Sequence, residues 1–200
     1  LLKEMTGALY SRGYNTGQST DREIHDAIAP IAGNYDLIMI DCPPGDETLQ
    51  RMALAAAHYV LIPTKSDSAS LDGLLAVGEL FTKVRATSNP DLELLGVALF
   101  GIGVGSHRIA KDARDTVARD LGDPTLVFDA RIRHVEGTAK NTRDLGRLAH
   151  ELEAALVSGR HRADDSGPRL AASAPGLAED YSALALELLT RLSARSTVPA

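Results

Sequence analysis

Residues 35–50 read YDLIMIDCPPGDETLQ, in which four apolar residues, Leu37 to Ile40, run straight into the carboxylate of Asp41. The run Leu37–Asp41 predicts a short strand buried on both faces. An ionised acid ending such a strand is costly to desolvate unless something pairs with it. A magnesium ion with its water shell is one such partner, because it is hard, oxygen-seeking and slow to shed water. Pro43 and Pro44 then fix φ and remove two backbone donors, forcing the chain out of a sheet, and Gly45 permits close approach of the backbone to a phosphate. An Asp that only caps a turn at a strand end fits the pentapeptide equally well.

Three other groups of residues have types suited to chemistry. TKSD, Thr64–Asp67, mimics a guanine-recognition loop after a strand, although a polar loop opening a helix is the plainer reading. Gly101, Gly103 and Gly105 lie between an apolar run and a helical pattern, ahead of a strand reaching Asp129. That order invites a dinucleotide-binding oxidoreductase reading, but the G-x-G-x-x-G fingerprint needs glycine where Ser106 stands. The histidines, including His107, His134, His150 and His161, show no metal-ligand spacing. Cys42 is the single cysteine, so no internal disulfide forms, as suits a reducing cytoplasm; it is expected as a small buried filler.

The elements that must position these residues alternate. Residues 21–32 read as a helix with Ile24, Ile28 and Ile31 on one face, and residues 46–57 as a second helix opening on acids. Tyr59–Pro63 reads as a strand. Residues 68–85 read as a long helix with the stripe Leu71, Leu74, Leu75, Phe81 and Val84, and Ser68 as its cap. Leu94–Phe100 is a further strand, residues 106–121 a helix, and Thr125–Phe128 a last strand. A final helix over 177–194 carries Leu177, Tyr181, Leu184, Leu188 and Leu192 at helical spacing. Residues 158–176 are rich in Ser, Gly, Pro and Ala and read as a flexible insertion. Strand–helix alternation predicts an α/β fold: a doubly wound, mostly parallel sheet with helices on both faces.

Composition bounds the class. Two hundred residues with 44% hydrophobic and 24% charged content suit one soluble domain. No apolar run approaches the roughly 18 residues of a membrane span. The net charge of −6 argues against a wholesale nucleic-acid coat. It is uneven: residues 1–100 hold 7 Lys/Arg against 13 Asp/Glu, whereas residues 101–150 hold 9 against 7. An ordinary solvated surface explains the basic block without any partner.

Taken together, YDLIMIDCPPG, an Ala-rich helix and AAHYVLIPTKSDSASLDGL resemble the ParA-type partition ATPases of the ParA/MinD superfamily of deviant P-loop ATPases. The residues that carry the resemblance are Tyr35, Asp36, Asp41, Pro44, Ala56, Ala57, Pro63, Ser70, Leu71, Gly73 and Leu74. NPDLELLGVAL, VFDARIRHVEGTAKNTRDLG and DYSALALELLTRL extend it along nearly the whole chain, apart from residues 158–176. The resemblance implies a P-loop NTPase-like fold over 1–157, with residues 177–200 as a C-terminal helix on the same domain. It implies ATP and Mg2+ as cofactors, with Asp41 holding the metal through water and Pro43, Pro44 and Gly45 forming the γ-phosphate switch. Ile132 and Arg133 would form the adenine-side turn, although many relatives have Pro where Arg133 stands. The implied cycle is an ATP-dependent homodimer on non-specific DNA, released by a ParB-type centromere-binding partner, in the cytoplasm at the nucleoid and without a membrane. Arg131, Arg133, Lys140, Arg143 and Arg147 are the DNA-binding candidates, the last three expected near one helix face. These 200 residues contain no Gly-rich loop bearing a lysine. The expectation is therefore the C-terminal two-thirds of such a protein, or a degenerate relative, that does not hydrolyse ATP alone. A non-catalytic interaction domain derived from the ATPase is the further alternative.

Overall fold

The computed structural model describes residues 20–43, 45–158 and 170–196. Most of the expected insertion, and Pro44, lie outside the described residues. The elements are α1 (Glu23–Ala32), α2 (Glu47–Ala56), β1 (Tyr59–Thr64), α3 (Ser68–Thr87), β2 (Glu93–Gly103), α4 (His107–Leu121), a 3-10 turn at Pro124–Leu126, β3 (Val127–His134), α5 (Glu136–Leu145), α6 (Ala149–Val157) and α7 (Ala174–Ser196). The strands form one sheet in the order β1-β2-β3, with β2 and β3 parallel. The chain divides into two compact units, residues 1–60 with 72–94 and residues 61–71 with 95–200.

In the first unit, Leu54, Leu80, Val84 and Leu92 form a core with Val60 and Phe81 packed against it. Asn89 donates from Nδ2 to the carbonyls of Leu54 (2.9 Å) and Ala57 (2.7 Å), which satisfies acceptors that the end of α2 leaves open. Buried Asp21 accepts from the Arg51 guanidinium and from Ser88 Oγ (2.7 Å). Of the stripe expected on α3, Leu74 and Val84 are buried but Leu75 is 60% exposed.

The strand expected at Leu37–Asp41 does not form. These residues belong to no strand, and Leu37, Ile38 and Met39 are 45%, 39% and 77% exposed. A strand needs a neighbour for its N–H and C=O groups, and apolar pattern alone does not supply one.

In the second unit the last strand is displaced from Thr125–Phe128. Asp123 accepts from the Thr125 amide (2.8 Å) and hydroxyl (2.7 Å), and this Asp-Pro-Thr signal makes a turn rather than a strand start. β3 follows it and runs through Ile132 and Arg133, so the turn expected at those two residues is a strand. Its two faces meet different helices. Asp129 pairs with Arg114 of α4 (2.9 Å), whereas Ile132 packs with Leu177 and Ala178 of α7. On β2, Leu99 and Ile102 pack with Ala110 and Ala113 of α4. This is the expected parallel sheet with helices on both faces.

β3 is bulged. Val97 of β2 is level with Val127, but Leu99 is level with Arg131, so two steps of β2 span four of β3. The backbone groups that lose ladder partners are taken up by charged side chains. Glu187 of α7 accepts from the amides of Asp129 (3.1 Å) and Ala130 (2.8 Å). Arg191 donates to the carbonyls of Thr125 (2.7 Å) and Val127 (3.1 Å), with its guanidinium 3.9 Å from the Phe128 ring centre. Arg114 donates to the Phe128 carbonyl (2.8 Å). Gly96 makes room for the bulge: its φ is +150°, and a Cβ there would run into the Leu126 carbonyl oxygen and the Phe128 ring.

Burial on its own would raise the Glu187 carboxyl pKa. The amides of Ala130 and Asp129, then Arg191, outweigh it and hold the value below normal. A depressed carboxyl contributes stability that is present above its unfolded pKa, about 4.3, and is lost as pH falls through the folded value. Urea midpoints of the wild type should therefore fall with acidification below about pH 4.3, and those of Glu187→Gln should start lower and fall less over the same range. Equal acid slopes in the two proteins would remove Glu187 from the linkage.

Candidate functional site

Asp41 stands on the extended chain ahead of α2. Its carboxylate is exposed and makes no hydrogen bond or ion pair with the described residues. The turn behind it is built by local bonds. The Pro43 carbonyl accepts from Gln50 Nε2 (3.2 Å), and Gly45 adopts φ +80° with open space around it. Asp46 caps α2 by accepting from the Leu49 amide (3.1 Å). Cys42, expected as a buried filler, is exposed instead. An extended segment with no sheet on either side has no interior to put it in. No cluster of three His, Cys, Asp or Glu side chains able to hold a metal occurs among the described residues. Asp41 thus offers one unencumbered carboxylate. That fits a magnesium ion that keeps most of its waters, and the rest of such a shell would come from water and phosphate oxygens.

A concavity of about 240 Å3 opens beyond the carboxyl ends of β2 and β3, where parallel sheets place ligands. It is bounded by Gly103, Gly105 and Ser106 on one side and by Arg131 and Arg133 on the other. Arg133 is committed within the protein. Its Nε and Nη2 reach both Asp180 oxygens at 2.7 Å, and its amide donates to the same carboxylate (2.8 Å). Gly176, one turn before Asp180 on α7, clears space for the guanidinium. Ile132 is buried in the core. Arg131 approaches His107 Nδ1 at 3.4 Å.

Of the five expected DNA cations, Lys140, Arg143 and Arg147 are exposed and form no ion pair among the described residues. They do not share one helix face. α5 ends at Leu145, and Gly146 takes φ +61° as its left-handed cap, so Arg147 lies beyond the helix.

Of Thr64–Asp67, Thr64 ends β1 and the rest is a helix-start loop. Asp67 accepts from the Ser70 amide (2.9 Å) and hydroxyl (3.0 Å), bonds that hold its carboxyl pKa below normal. The helix is capped from Asp67 rather than from the expected Ser68. Asp129, the acid of the dinucleotide reading, is taken up by Arg114. Sequence reasoning missed Asp180 and Glu187. Their signal was spacing: the two acids lie seven residues apart, each three residues after an inward-facing leucine of the stripe, Leu177 or Leu184, a charge where packing expects none.

Residues 10–94 match a family described as an AAA domain. Over 76 residues the chain is 42% identical to the chromosome partitioning protein ParA of Myxococcus xanthus, which covers 38% of this chain and 27% of that protein. It is 28% identical over 153 residues to the chromosome partitioning protein ParA of Caulobacter vibrioides, covering 64% and 57%. The crystal structure of cobyrinic acid a,c-diamide synthase from Mycobacterium smegmatis with bound ADP and magnesium overlaps 64% of this chain and 55% of its own, at 23% identity and a TM-score of 0.48. The chain therefore spans about a quarter to just over half the length of these relatives.

Although Cys42 is exposed at its surface, the protein packed close around the thiol removes part of its water, and this, then the adjacent Asp41 carboxylate, push the thiol pKa up from its ordinary 9.0. The rate of alkylation by iodoacetamide should rise with pH to a midpoint above 9.0, and Asp41→Asn should lower that midpoint without restoring it fully. A midpoint below the ordinary value would contradict the environment described for Asp41 and Cys42.

Proposed function

We propose that the protein of which these residues form part belongs, like the ParA proteins it is similar to, to the ParA/MinD superfamily and is a Mg-ATP-dependent partition ATPase. The reading is carried by one observation: the carboxylate of Asp41, exposed and without a partner among the described residues, stands shortly ahead of the capped start of α2. In this reading Asp41 holds the magnesium ion through a bound water. The ion would neutralise phosphate charge, which is the chemistry it supplies when bound. In the same reading the sequence Pro43, Pro44, Gly45, with φ fixed by each proline ring and unrestricted at the glycine, would register the presence of a terminal phosphate. The phosphate cradle itself has no counterpart in these 200 residues, so no step of hydrolysis is assigned to them.

The partners belong to the same proposal. ATP-bound copies pair, the pair lies on DNA of any sequence, and a ParB-type protein triggers release. The free cations Lys140, Arg143 and Arg147 support the DNA contact, since each is exposed and uncommitted among the described residues. Arg133 contributes less to it, because Asp180 already neutralises its charge. Binding to DNA by an acidic chain requires that such patches be brought together, which pairing of two copies does.

Two outcomes follow. In the intact protein, Asp41→Ala should remove most Mg-ATP turnover while leaving circular dichroism and the urea midpoint unchanged, because the side chain is exposed and bonded to none of the described residues. Turnover at the wild-type level would sink the metal assignment. Arg143→Ala with Arg147→Ala should weaken ATP-dependent DNA binding equally for unrelated sequences. It should also flatten the slope of log affinity against log salt by up to about two units, at roughly 0.9 per phosphate contact. Unaltered affinity at matched salt would show that these residues are only solvated.

A further inference from the structure

The concavity at the carboxyl ends of β2 and β3 lies within the second unit, and the Asp41 reading makes no use of it. Its charge can be counted. Arg133 is neutralised by Asp180, which takes its Nε and Nη2 at 2.7 Å, and Glu179 stands 4.0 Å from the same guanidinium. Arg131 meets His107 Nδ1 at 3.4 Å and pairs with no carboxylate among the described residues. A guanidinium has no acceptor, so Nδ1 accepts in that contact and the imidazole is uncharged there. A single positive charge is therefore left facing the concavity, on an exposed side chain with donors to spare. Ser106 adds a hydroxyl. A serine at the head of a helix ordinarily turns its oxygen to the first free amides. The Ser106 side chain makes no such bond at α4, nor any other among the described residues. Its Oγ lies over Gly103 instead, where a Cβ would stand 2.7 Å from it, so glycine at 103 is what gives the hydroxyl its place. The rest of the wall is apolar: Ile102 and Val104 line it, and Val104 is 73% exposed.

We infer that the concavity binds a carboxylate carried on a short aliphatic group, either a small organic acid or the C-terminal end of a polypeptide. The paired N–H groups of Arg131 match the two oxygens of a carboxylate, Ser106 donates to one of them, and Val104 with Ile102 covers the hydrocarbon. Charge selects against other oxyanions. A phosphate dianion sets two negative charges against one free cation, close to Asp180 and Glu179. A duplex backbone brings further phosphates past the same acids and makes no use of Val104. Size agrees: about 240 Å3 falls below the roughly 300 Å3 at which pockets for drug-sized ligands begin, so the space takes a small molecule or a chain end rather than a whole nucleotide. The inference involves neither Asp41 nor magnesium and stands or falls apart from the ATPase reading.

Amide chemical shifts of the intact protein in phosphate-free buffer read the binding. Isocaproate should shift the amides of Gly103, Gly105 and Ser106 to saturation. Acetate should do so more weakly, and isocaproamide, which has the same shape and no charge, should not. Arg131→Gln, at an exposed position, should weaken isocaproate about tenfold or more, the worth of a charge-assisted pair. Val104→Ser should weaken isocaproate and leave acetate unchanged, a split that a merely disturbed loop would not give. A tetrapeptide ending in leucine identifies the source. If it binds through its free C-terminus at least as tightly as isocaproate, the ligand is a chain end; if more weakly, a small acid; the inference stands either way. Absence of a saturable shift with isocaproate overturns it, as does equal binding of isocaproamide or unchanged affinity in Arg131→Gln. Displacement of isocaproate by Mg-ATP or by duplex DNA also overturns it and hands the concavity to the ligands of the proposed ATPase.

Discussion

Two residues too many in β3 set the terms for everything packed around it. A bulged strand at the edge of a sheet exposes backbone amides and carbonyls that no neighbouring strand can serve, and leaving them unmet inside a packed unit is expensive. The protein meets them with side chains. Asp180 and Glu187 accept from three amides of β3, and Arg191 and Arg114 donate to its carbonyls and to Thr125. The spacing works because seven residues of helix advance about 10.5 Å, close to the rise of three or four strand residues. Side chains of α7 thus take up hydrogen bonds that a further strand would make.

Several features follow from that docking. Gly96 and Gly176 are where backbone or guanidinium must pass closely. Phe128 is buried under Arg191, stacking its ring on the cation that serves its own strand. Arg133, which sequence pattern offers as a ligand or DNA contact, is spent on Asp180. The inward turn of charge leaves the exposed positions of α7 from Tyr181 to Thr190 uncharged. The concavity beyond Gly103 and Arg131 exists because β2 and β3 end together, with α4 starting at one side and α7 passing at the other.

How far the sequence foretold this depends on the kind of residue. Helices whose apolar spacing meets a core were legible, as with Leu54 in α2, Val84 in α3 and Leu177 in α7. Leu37–Ile40 was not, because a strand is a relation between two segments and the pattern shows only one. β3 was misplaced because its later residues, Asp129, Arg131 and Arg133, look like a loop; they are strand residues, and helices meet the charges of Asp129 and Arg133. Tyr181, on the expected stripe of α7, faces out, since the stripe is shared with Asp180, Glu187 and Arg191. Gly146 gave fair warning that the helix would stop before Arg147. At the candidate site, the identity of Asp41 and the turn after it could be read from residue types alone, whereas the freedom of its carboxylate could not.

The central functional claim is that an ATP-bound magnesium ion is what the Asp41 carboxylate serves. Isothermal titration of the intact protein with ATP, in the presence and absence of Mg2+, and with NADH, tests this most directly. The account predicts heat of binding for ATP that requires Mg2+ and is lost in Asp41→Ala, with none for NADH. Binding of NADH together with indifference to Mg-ATP would contradict it and move the glycines at 101, 103 and 105 to the centre of the site.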